Sequence, residues 1–333
     1  MIDVLVLGLG PAGASAAAEA ARRGCRVVAL DRKREAGIPV QCAELVPGLL
    51  DANGSAVQRI AAMATFVEDD TADVQPDFPG TMVDRAAFDA HLVAKARAAG
   101  AEIRLGALAR RIARDGTVTL ADGATLRARV VIGADGPRSR AGAAIGSVNR
   151  ERVETRQVTV PLLQPHAATD IFLSAGIPGG YGWLFPKGEV ANLGAGVSPE
   201  HKGRLKPILA RLHAELGGRV GAKVLATTGG AIPVGGMLKP RGRLEETLVL
   251  LAGDAAGLAN PVTGAGIAAA VHSGRLAGEA AATGAAEAYE EELHDVFGAS
   301  ISRALRRRRE LLAKAPSKSA LRRGWIAYPE YWQ

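Results

Sequence analysis

Cysteine is scarce: Cys25 and Cys42 are the only two in 333 residues. That excludes a disulfide framework and fits a reducing compartment. The six histidines show none of the H-x-x-H or H-E-x-x-H spacings, so no metal site is expected. No apolar run reaches the ~20 residues of a membrane span. The longest small-apolar stretch, Ala255 to Val271, is interrupted by Asn260, Pro261 and several glycines. The first apolar run has no basic segment before it and leads straight into a glycine-rich turn. No signal peptide is therefore expected, and the expected location is cytoplasmic. Aromatic residues make up only 4% of the chain, so a place where they gather carries information.

Apolar residues at 48% and charged residues at 23% are ordinary globular values, and the length allows two domains with real cores. Glycine is plentiful, with 41 residues, and part of it falls in three informative clusters. Gly8-Leu9-Gly10-Pro11-Ala12-Gly13 follows the apolar run Ile2–Leu7 and precedes an Ala-rich stretch reaching Arg23. The run reads as a buried parallel strand and the stretch as a helix. Gly8 then allows the tight turn, Gly10 lets backbone N–H groups approach a pyrophosphate, and Gly13 lets helix and strand pack closely. Pro11 and Ala12 open the helix, whose positive end favours phosphate. A second strand, Arg26–Leu30, ends at Asp31, followed by Arg32. Asp31 stands close to the ~20-residue spacing expected of a carboxylate on a ribose hydroxyl.

The second cluster is Gly133-Ala134-Asp135-Gly136. The third is Gly253-Asp254-Ala255-Ala256-Gly257, followed by Asn260-Pro261-Val262-Thr263-Gly264-Ala265-Gly266-Ile267. A lone GxGxxG is a weak signal, and Asp135-Gly136 alone reads equally as a plain turn. Three such clusters in this order point to one dinucleotide site built from separated segments.

Charge is unevenly placed. Between Ile301 and Trp325 there are nine basic residues against one acid, Glu310. That segment is net +8, within a chain of net +7. Leu293, Phe297, Ile301 and Leu305 recur every fourth position, so the segment is expected to begin as an amphipathic helix. Three readings stay open: contact with an anionic membrane surface, docking of a polypeptide partner, or a solvated helix face. The basic run lacks interleaved aromatics, which argues against nucleic acid.

Residues 32–47 read as a loop carrying Cys42, and residues 47–64 as a helix. Strands are expected at Ala64–Val67 and Thr81–Val83 around a polar, proline-containing excursion at 69–80. A helix is expected over Arg85–Gly100. Further strands are expected at Ala101–Leu105, Thr117–Leu120 and Ala128–Ile132, then at Gln157–Leu163, Thr169–Leu173, Tyr181–Phe185 and Val190–Val197, and finally at Leu248–Leu251. The fold class is α/β (α+β overall), with a discontinuous Rossmann-like nucleotide domain interrupted by a mostly antiparallel sheet and closed by a C-terminal helix. The expected division is 1–63, 84–150 and 245–285 for the nucleotide domain, 64–83 and 151–244 for the substrate domain, and 286–333 for a basic helical tail. Tyr181, Trp183 and Phe185 alternate, so three of the thirteen aromatic rings share one strand face and suit the wall of an apolar pocket.

Together these segments resemble the para-hydroxybenzoate-hydroxylase-like FAD oxidoreductases and, within them, the geranylgeranyl reductase family. The broader resemblance spans residues 1 to about 285. It includes Arg85, in Asp84-Arg85-Ala86-Ala87-Phe88-Asp89, matching the arginine that opens the helix beneath the flavin. The narrower resemblance rests on Tyr181-Gly182-Trp183-Leu184-Phe185-Pro186, similar to the YxWxFP signature, followed by Lys187-Gly188 and Asn192–Gly196. Pro39-Val40-Gln41-Cys42-Ala43-Glu44 is similar to the family's P-x-x-C-G-E, with Ala43 in place of glycine.

The resemblance implies FAD, with Gly8, Gly10, Pro11, Ala12, Gly13, Asp31, Arg32, Cys42, Arg85, Asp135, Gly136, Gly253, Asp254, Pro261, Gly264, Ala265, Gly266 and Ile267 around it. Asp254 is expected on a ribityl hydroxyl, and the Pro261–Gly266 turn beside the pyrimidine end of the flavin. Cys42, Tyr181 and Trp183 are the expected catalytic residues, Cys42 reading equally as a small buried hydrophobe. The implied reaction is reduction of C=C bonds in an apolar, isoprenoid-type substrate, with NAD(P)H or another donor as reductant. Two alternatives remain: a flavin monooxygenase or halogenase on the same scaffold, and a flavoprotein tailoring or maturation factor acting on a polypeptide.

Overall fold

The computed structural model describes residues 2–48, 50–52, 54–68, 70–313 and 316–333. Asp69, within the expected excursion, and Lys314, within the basic tail, lie outside them. In chain order the strands are β1 (Ile2–Leu7), β2 (Val27–Asp31), β3 (Leu45–Pro47), β4 (Ala56–Val67), β5 (Asp73–Val83), β6 (Glu102–Leu105), β7 (Ala109–Ile112), β8 (Val118–Leu120), β9 (Thr125–Leu126), β10 (Ala128–Gly133), β11 (Arg152–Pro161), β12 (Ala168–Leu173), β13 (Gly182–Lys187), β14 (Val190–Val197), β15 (Ala226–Pro233), β16 (Arg241–Leu244) and β17 (Thr247–Leu251). The helices are α1 (Pro11–Arg22), α2 (Arg85–Ala98), α3 (Arg140–Ala144), α4 (Leu205–Glu215), α5 (Ile267–Thr283), α6 (Ala286–Leu293), α7 (Ala299–Leu312), α8 (Lys318–Arg323) and α9 (Pro329–Trp332).

A six-stranded sheet runs β16-β17-β10-β1-β2-β6, parallel except for the antiparallel edge strand β16. Both of its faces are covered, so its strands read as nearly continuous apolar runs. Helices α1 and α5 pack together through small residues. A Cβ on Gly274 would stand 2.1 Å from the Ala12 carbonyl oxygen, and one on Gly278 would stand 2.5 Å from that of Ala16. The two helix axes therefore approach closely, and both N-termini reach the same end of the sheet.

An eight-stranded sheet runs β15-β11-β14-β13-β12-β4-β5-β3, with β12 and β4 its parallel pair. One face packs Val158, Leu184 and Leu193 against Ile208, Leu209 and Leu212 of α4. The other carries Ile60, Ile171, Trp183 and Phe185, packed against Leu321, Trp325 and Tyr328 of the C-terminal segment. Side-chain alternation along β13 assigns Leu184 to one core and its two aromatic neighbours to the other. A small three-stranded sheet, β7-β8-β9, pairs with neither but packs Val118 and Leu120 into the core of the six-stranded sheet.

Two local expectations fail. The stretch 47–64, read as helix, instead holds the end of β3 at Pro47 and the Ala56–Ala64 part of β4, while Leu49 and Asn53 lie outside the described residues. Ala61, Ala62 and Ala64 favour helix locally, but pairing with β5 and β12 overrides that preference. Register shifts between Ala56 and Gln58 and between Ile60 and Ala62 also break the two-residue alternation that marks a strand. The excursion at 69–80 is largely β5, whose Pro76 pairs with Ala62 next to one of those irregularities. Strands β3 and β4 thus pair with the larger sheet although residues 1–63 were expected with the nucleotide domain. Strand β16 joins the six-stranded sheet although 151–244 was expected with the other domain. No helix among the described residues is long and apolar enough to cross a membrane.

Candidate active site

The glycine turn after β1 is shaped by contacts that leave no room for side chains. Gly8 has φ +95°, and a Cβ there would lie 2.3 Å from the Ala134 carbonyl oxygen. A Cβ on Gly13 would lie 1.8 Å from the Gly8 carbonyl oxygen. A Cβ on Gly10 would meet nothing within 4 Å, so the backbone there borders open space. Helix α1 starts with Gly10 at its N-cap and Pro11 in its first turn, with no capping side chain. Its first N–H groups are thus available to an anion. Asp31 accepts hydrogen bonds from the Leu9 amide (2.7 Å) and the Lys33 amide (2.8 Å), fixing the turn against the end of β2. Arg32 is exposed beside it.

Asp135 faces inward on its own loop. Ser139 Oγ donates to one of its oxygens at 2.5 Å and the Arg140 amide to the other at 2.6 Å. Burial raises its pKa, while those hydrogen bonds pull the other way. Its carboxylate holds the start of α3, and Gly136, at φ +81°, makes the turn between them. The segment's link to the glycine turn is through backbone, at Ala134 and Gly8.

The third cluster closes the same end. Gly253 has φ +60°, and a Cβ there would stand 3.0 Å from the Ala12 methyl. Asp254 follows, and its carboxylate has no hydrogen-bond partner among the described residues. Burial pushes its pKa up to about 6, with Arg85 opposing the rise. The turn that follows is tied by Asn260, whose Oδ1 accepts from the Val262 and Thr263 amides at 2.9 and 3.0 Å. Pro261 is buried, Gly264 has φ +70°, Ala265 is exposed, and Gly266 is the N-cap of α5, again without a side-chain cap. Ile267 begins the helix. Two uncapped helix N-termini and an unpartnered carboxylate therefore converge around open backbone at Gly10, and this donor set fits a dinucleotide.

Arg85 opens α2 and holds Asp89 with two hydrogen bonds of 3.0 Å. Burial disfavours its charge, but the neighbouring Cys42 and Asp89 outweigh that and hold it above its ordinary range. Cys42, Arg85 and Asp254, far apart in sequence, thus meet in one cluster. Lys33 sits beside them, its pKa lowered by burial and by Arg85 against the pull of Asp89 and Asp31.

The loop carrying Cys42 is fixed by residues that the sequence reading did not single out as site residues. Glu44, at φ +71°, is 6% exposed, and its carboxylate takes hydrogen bonds from Lys187 Nζ (2.8 and 2.9 Å), Asn192 Nδ2 (2.9 Å) and the Arg85 amide (3.1 Å). Gln157 donates to the Cys42 carbonyl at 3.1 Å and accepts from Trp183 Nε1 at 3.0 Å. Glu44, Lys187 and Asn192 stood in the motifs already quoted, and that was the available signal. Gln157 carried none.

The aromatic strand differs from an open pocket wall. Tyr181, Trp183 and Phe185 do share a face, with centroids 5.7 and 6.3 Å apart. Trp183, however, is only 6% exposed and lies against Gly194, where a Cβ would come within 2.3 Å of its ring. Trp325 lies 4.8 Å from Tyr181 and covers that face. The Tyr181 hydroxyl donates to the Thr263 carbonyl at 2.5 Å, linking β13 to the turn before α5, and burial raises its pKa. Tyr181 and Trp183 therefore have their polar atoms engaged within the protein.

The basic tail differs from a solvated helix face as well. Arg307 and Arg308 are buried. Arg307 donates to the carbonyls of Tyr331 (3.1 Å) and Glu330 (2.8 Å), and Arg308 to that of Gly179 (2.9 Å). Lys318 and Arg322 pair with Asp70, Arg322 also with Asp73, and Tyr328 bonds Asp73 at 2.6 Å. Much of the positive charge thus pins the C-terminal segment over the aromatic face.

Residues 1–168 match the FAD binding domain, and residues 153–232 match the geranylgeranyl reductase catalytic domain. The chain is 36% identical to digeranylgeranylglycerophospholipid reductase 1 of Methanopyrus kandleri over 314 residues, covering 87% of this chain and 82% of that one. It is 32% identical to digeranylgeranylglycerophospholipid reductase of Methanocella arvoryzae, with 90% and 85% coverage. In architecture it is similar to a geranylgeranyl bacteriochlorophyll reductase-like protein from Thermoplasma acidophilum (TM-score 0.84, 24% identity, 96% of this chain and 89% of that one). Taken with the dinucleotide geometry, these matches show that the chain belongs to the geranylgeranyl reductase family of FAD-dependent oxidoreductases.

Proposed function

We propose that this FAD-dependent oxidoreductase reduces C=C bonds of an isoprenoid-type lipid. The observation that carries this reading is the 36% identity, across 82% of its length, to a relative named for reducing a digeranylgeranyl glycerophospholipid. Bound FAD, once reduced, supplies the hydride. The protein's own part is positioning. The amides of Gly10, Ala12 and Gly13 would hold the pyrophosphate, Asp31 the adenosine ribose, Asp254 a ribityl hydroxyl, and the uncapped start of α5 the pyrimidine end. Cys42, which lies beside Arg85 and whose Sγ accepts from the Glu44 amide at 3.1 Å, is the proton donor nearest that cluster. The apolar face of β13 and the C-terminal segment exclude water from the alkene.

The protein works in the cytoplasm, in peripheral contact with an anionic lipid surface. The exposed residues Arg306, Arg309, Lys318 and Arg323 supply the attraction. The test is anaerobic turnover: FAD-loaded protein, reduced with dithionite, is given geranylgeranyl lipids, and products are weighed by mass spectrometry. Addition of two hydrogens per double bond without oxygen supports the reading. Product that forms only in air, carrying an added oxygen, overturns it.

A further inference from the structure

Residues 40–44, the loop that carries Cys42, cross the larger sheet strand by strand. Thr228 Oγ1 on β15 donates to the Val40 carbonyl, and Gln41 Nε2 donates to the Gly229 carbonyl of the same strand at 3.2 Å. Gln157 Nε2 on β11 donates to the Cys42 carbonyl at 3.1 Å, and Asn192 Nδ2 on β14 to the Ala43 carbonyl at 3.2 Å. Lys187, at the end of β13, then holds the Glu44 carboxylate. The sheet order β15-β11-β14-β13 is the order of these partners along the loop.

Gln157 differs from the other ties in that a second contact dictates which way its amide faces. Gln157 and Trp183 both pair with Gly194, from opposite sides of β14. No side chain stands between them, and a Cβ on Gly194 would come within 2.3 Å of the indole. Across that gap Trp183 Nε1 donates to Gln157 Oε1 at 3.0 Å. An indole N–H only donates, so the amide oxygen must face it and the NH2 must face the Cys42 carbonyl. Gln157 is 4% exposed, so both bonds are made away from solvent. A side chain unable to donate would leave the Cys42 carbonyl unpaired and the loop untied at that residue.

We propose that Gln157 is the positioning residue that holds Cys42 in place for proton transfer to the alkene, with Trp183 setting the direction of its amide through the gap at Gly194. The alkene takes a hydride on one carbon and the thiol proton of Cys42 on the other, and the thiolate regains its proton from water. Gln157 acts only through the Cys42 backbone. The proposal deepens the reading of Cys42 as proton donor in an isoprenoid reductase and rests on it.

The test compares wild type, Q157L and Q157E as FAD-loaded proteins. Q157L removes donor and acceptor at nearly the same size. Q157E keeps an acceptor for Trp183, but its other oxygen donates to the Cys42 carbonyl only when protonated. Modification of Cys42 by methyl methanethiosulfonate is followed by peptide mass spectrometry at about pH 5 and about pH 8, a range that spans the titration of a carboxyl raised by burial. Each rate is divided by that of wild type at the same pH, and Cys25 in the same samples is the control. Q157L should be modified at Cys42 roughly 10-fold faster than wild type at both pH values, the effect of one lost hydrogen bond. Q157E should match Q157L at the higher pH and approach wild type at the lower. Glu44, Lys187 and Arg85, the charged groups around the loop, are common to all three proteins, so a pH response confined to Q157E belongs to the introduced carboxyl. In anaerobic turnover, kcat relative to wild type should fall and recover in the same pattern, with KM unchanged. Unaltered modification of Cys42 in Q157L would overturn the proposal, as would faster modification with kcat unaffected. A Q157E protein that behaves alike at both pH values would overturn it too, and this comparison decides the matter should Q157L not fold. The expected modification pattern in a protein that reduces no alkene would keep Gln157 as the residue that holds Cys42 and remove the reductase reading instead.

Discussion

Lys187 Nζ donates to both carboxylate oxygens of Glu44, at 2.8 and 2.9 Å, and so ties the end of β13 to the loop that carries Cys42. The Glu44 side chain is 8% exposed and that of Lys187 19%. Removing one partner therefore leaves a mostly buried charge behind. Lys187→Ala is expected to destabilise the protein by about 3 kcal/mol, measured by chemical denaturation. In a double-mutant cycle Glu44→Gln should recover part of that loss. Strict additivity of the two single changes would show that the pair is not coupled.

The glycine turn gives a sharper test of cofactor binding. Gly10→Val should abolish FAD binding, because a branched side chain would fill the space beside the open backbone, while the protein contacts there are unaffected. Asp31→Ala should weaken binding by about 1–3 kcal/mol, losing a charged hydrogen bond and the tie to the Leu9 amide. Flavin absorbance after gel filtration reports both. A Gly10→Val protein that remains yellow would contradict the site.

Trp183 is better probed by a small change than a large one. Being buried, engaged with Gln157 and packed on Gly194, it should cost about 3–5 kcal/mol on truncation to Ala. Trp183→Phe keeps the apolar bulk and leaves the Gln157 oxygen unsatisfied, at about 1–3 kcal/mol. Thermal melts of both variants, read beside FAD content, separate loss of packing from loss of cofactor. Two variants with the same small effect would mean that the ring does not pack as described.

Asp254 predicts a pH dependence. Its ordinary value of 3.8 is raised to about 6 in the folded protein, chiefly by burial. Between those values the folded chain holds more protons than the unfolded one, so this group's contribution is fully present below about pH 4 and is lost as pH rises through 6. Asp254→Asn removes the term. The melting temperature of the cofactor-free variant relative to wild type should therefore climb from pH 4 to 7 and then level. A difference that stays flat across that range would rule out the raised value.

The exposed and buried arginines of α7 should separate cleanly. Arg306→Gln with Arg309→Gln should change stability by less than about 0.5 kcal/mol, as exposed ion pairs contribute little, yet weaken sedimentation with anionic vesicles. Arg307→Gln should free the C-terminal segment, whose Tyr331 and Glu330 carbonyls it holds, and limited proteolysis should then cut near the end of the chain. Wild-type protein that ignores vesicles at low salt would remove the lipid-surface reading.

The parts of the site that could be read in the sequence are those where local backbone geometry demands glycine. At Gly8 and Gly13 a Cβ would overlap backbone atoms, and Gly253 holds a left-handed φ of +60° with tight space for a Cβ, and such constraints leave a mark within a few residues. The rest depends on distant partners. Glu44 meets Lys187 and Asn192 across more than 140 positions, and Gln157 bridges Cys42 and Trp183 with no pattern of its own. In β4 the bulges erased the alternation, leaving alanines that suggested a helix. The burial of Arg307 and Arg308 was equally hidden, because a charge run looks the same whether it faces solvent or the end of its own chain.

The contact between Gly274 and the Ala12 carbonyl has a mechanical consequence. With no clearance for a methyl group, α1 and α5 cannot slide past one another, so the two helix ends that face the dinucleotide move as a single jaw.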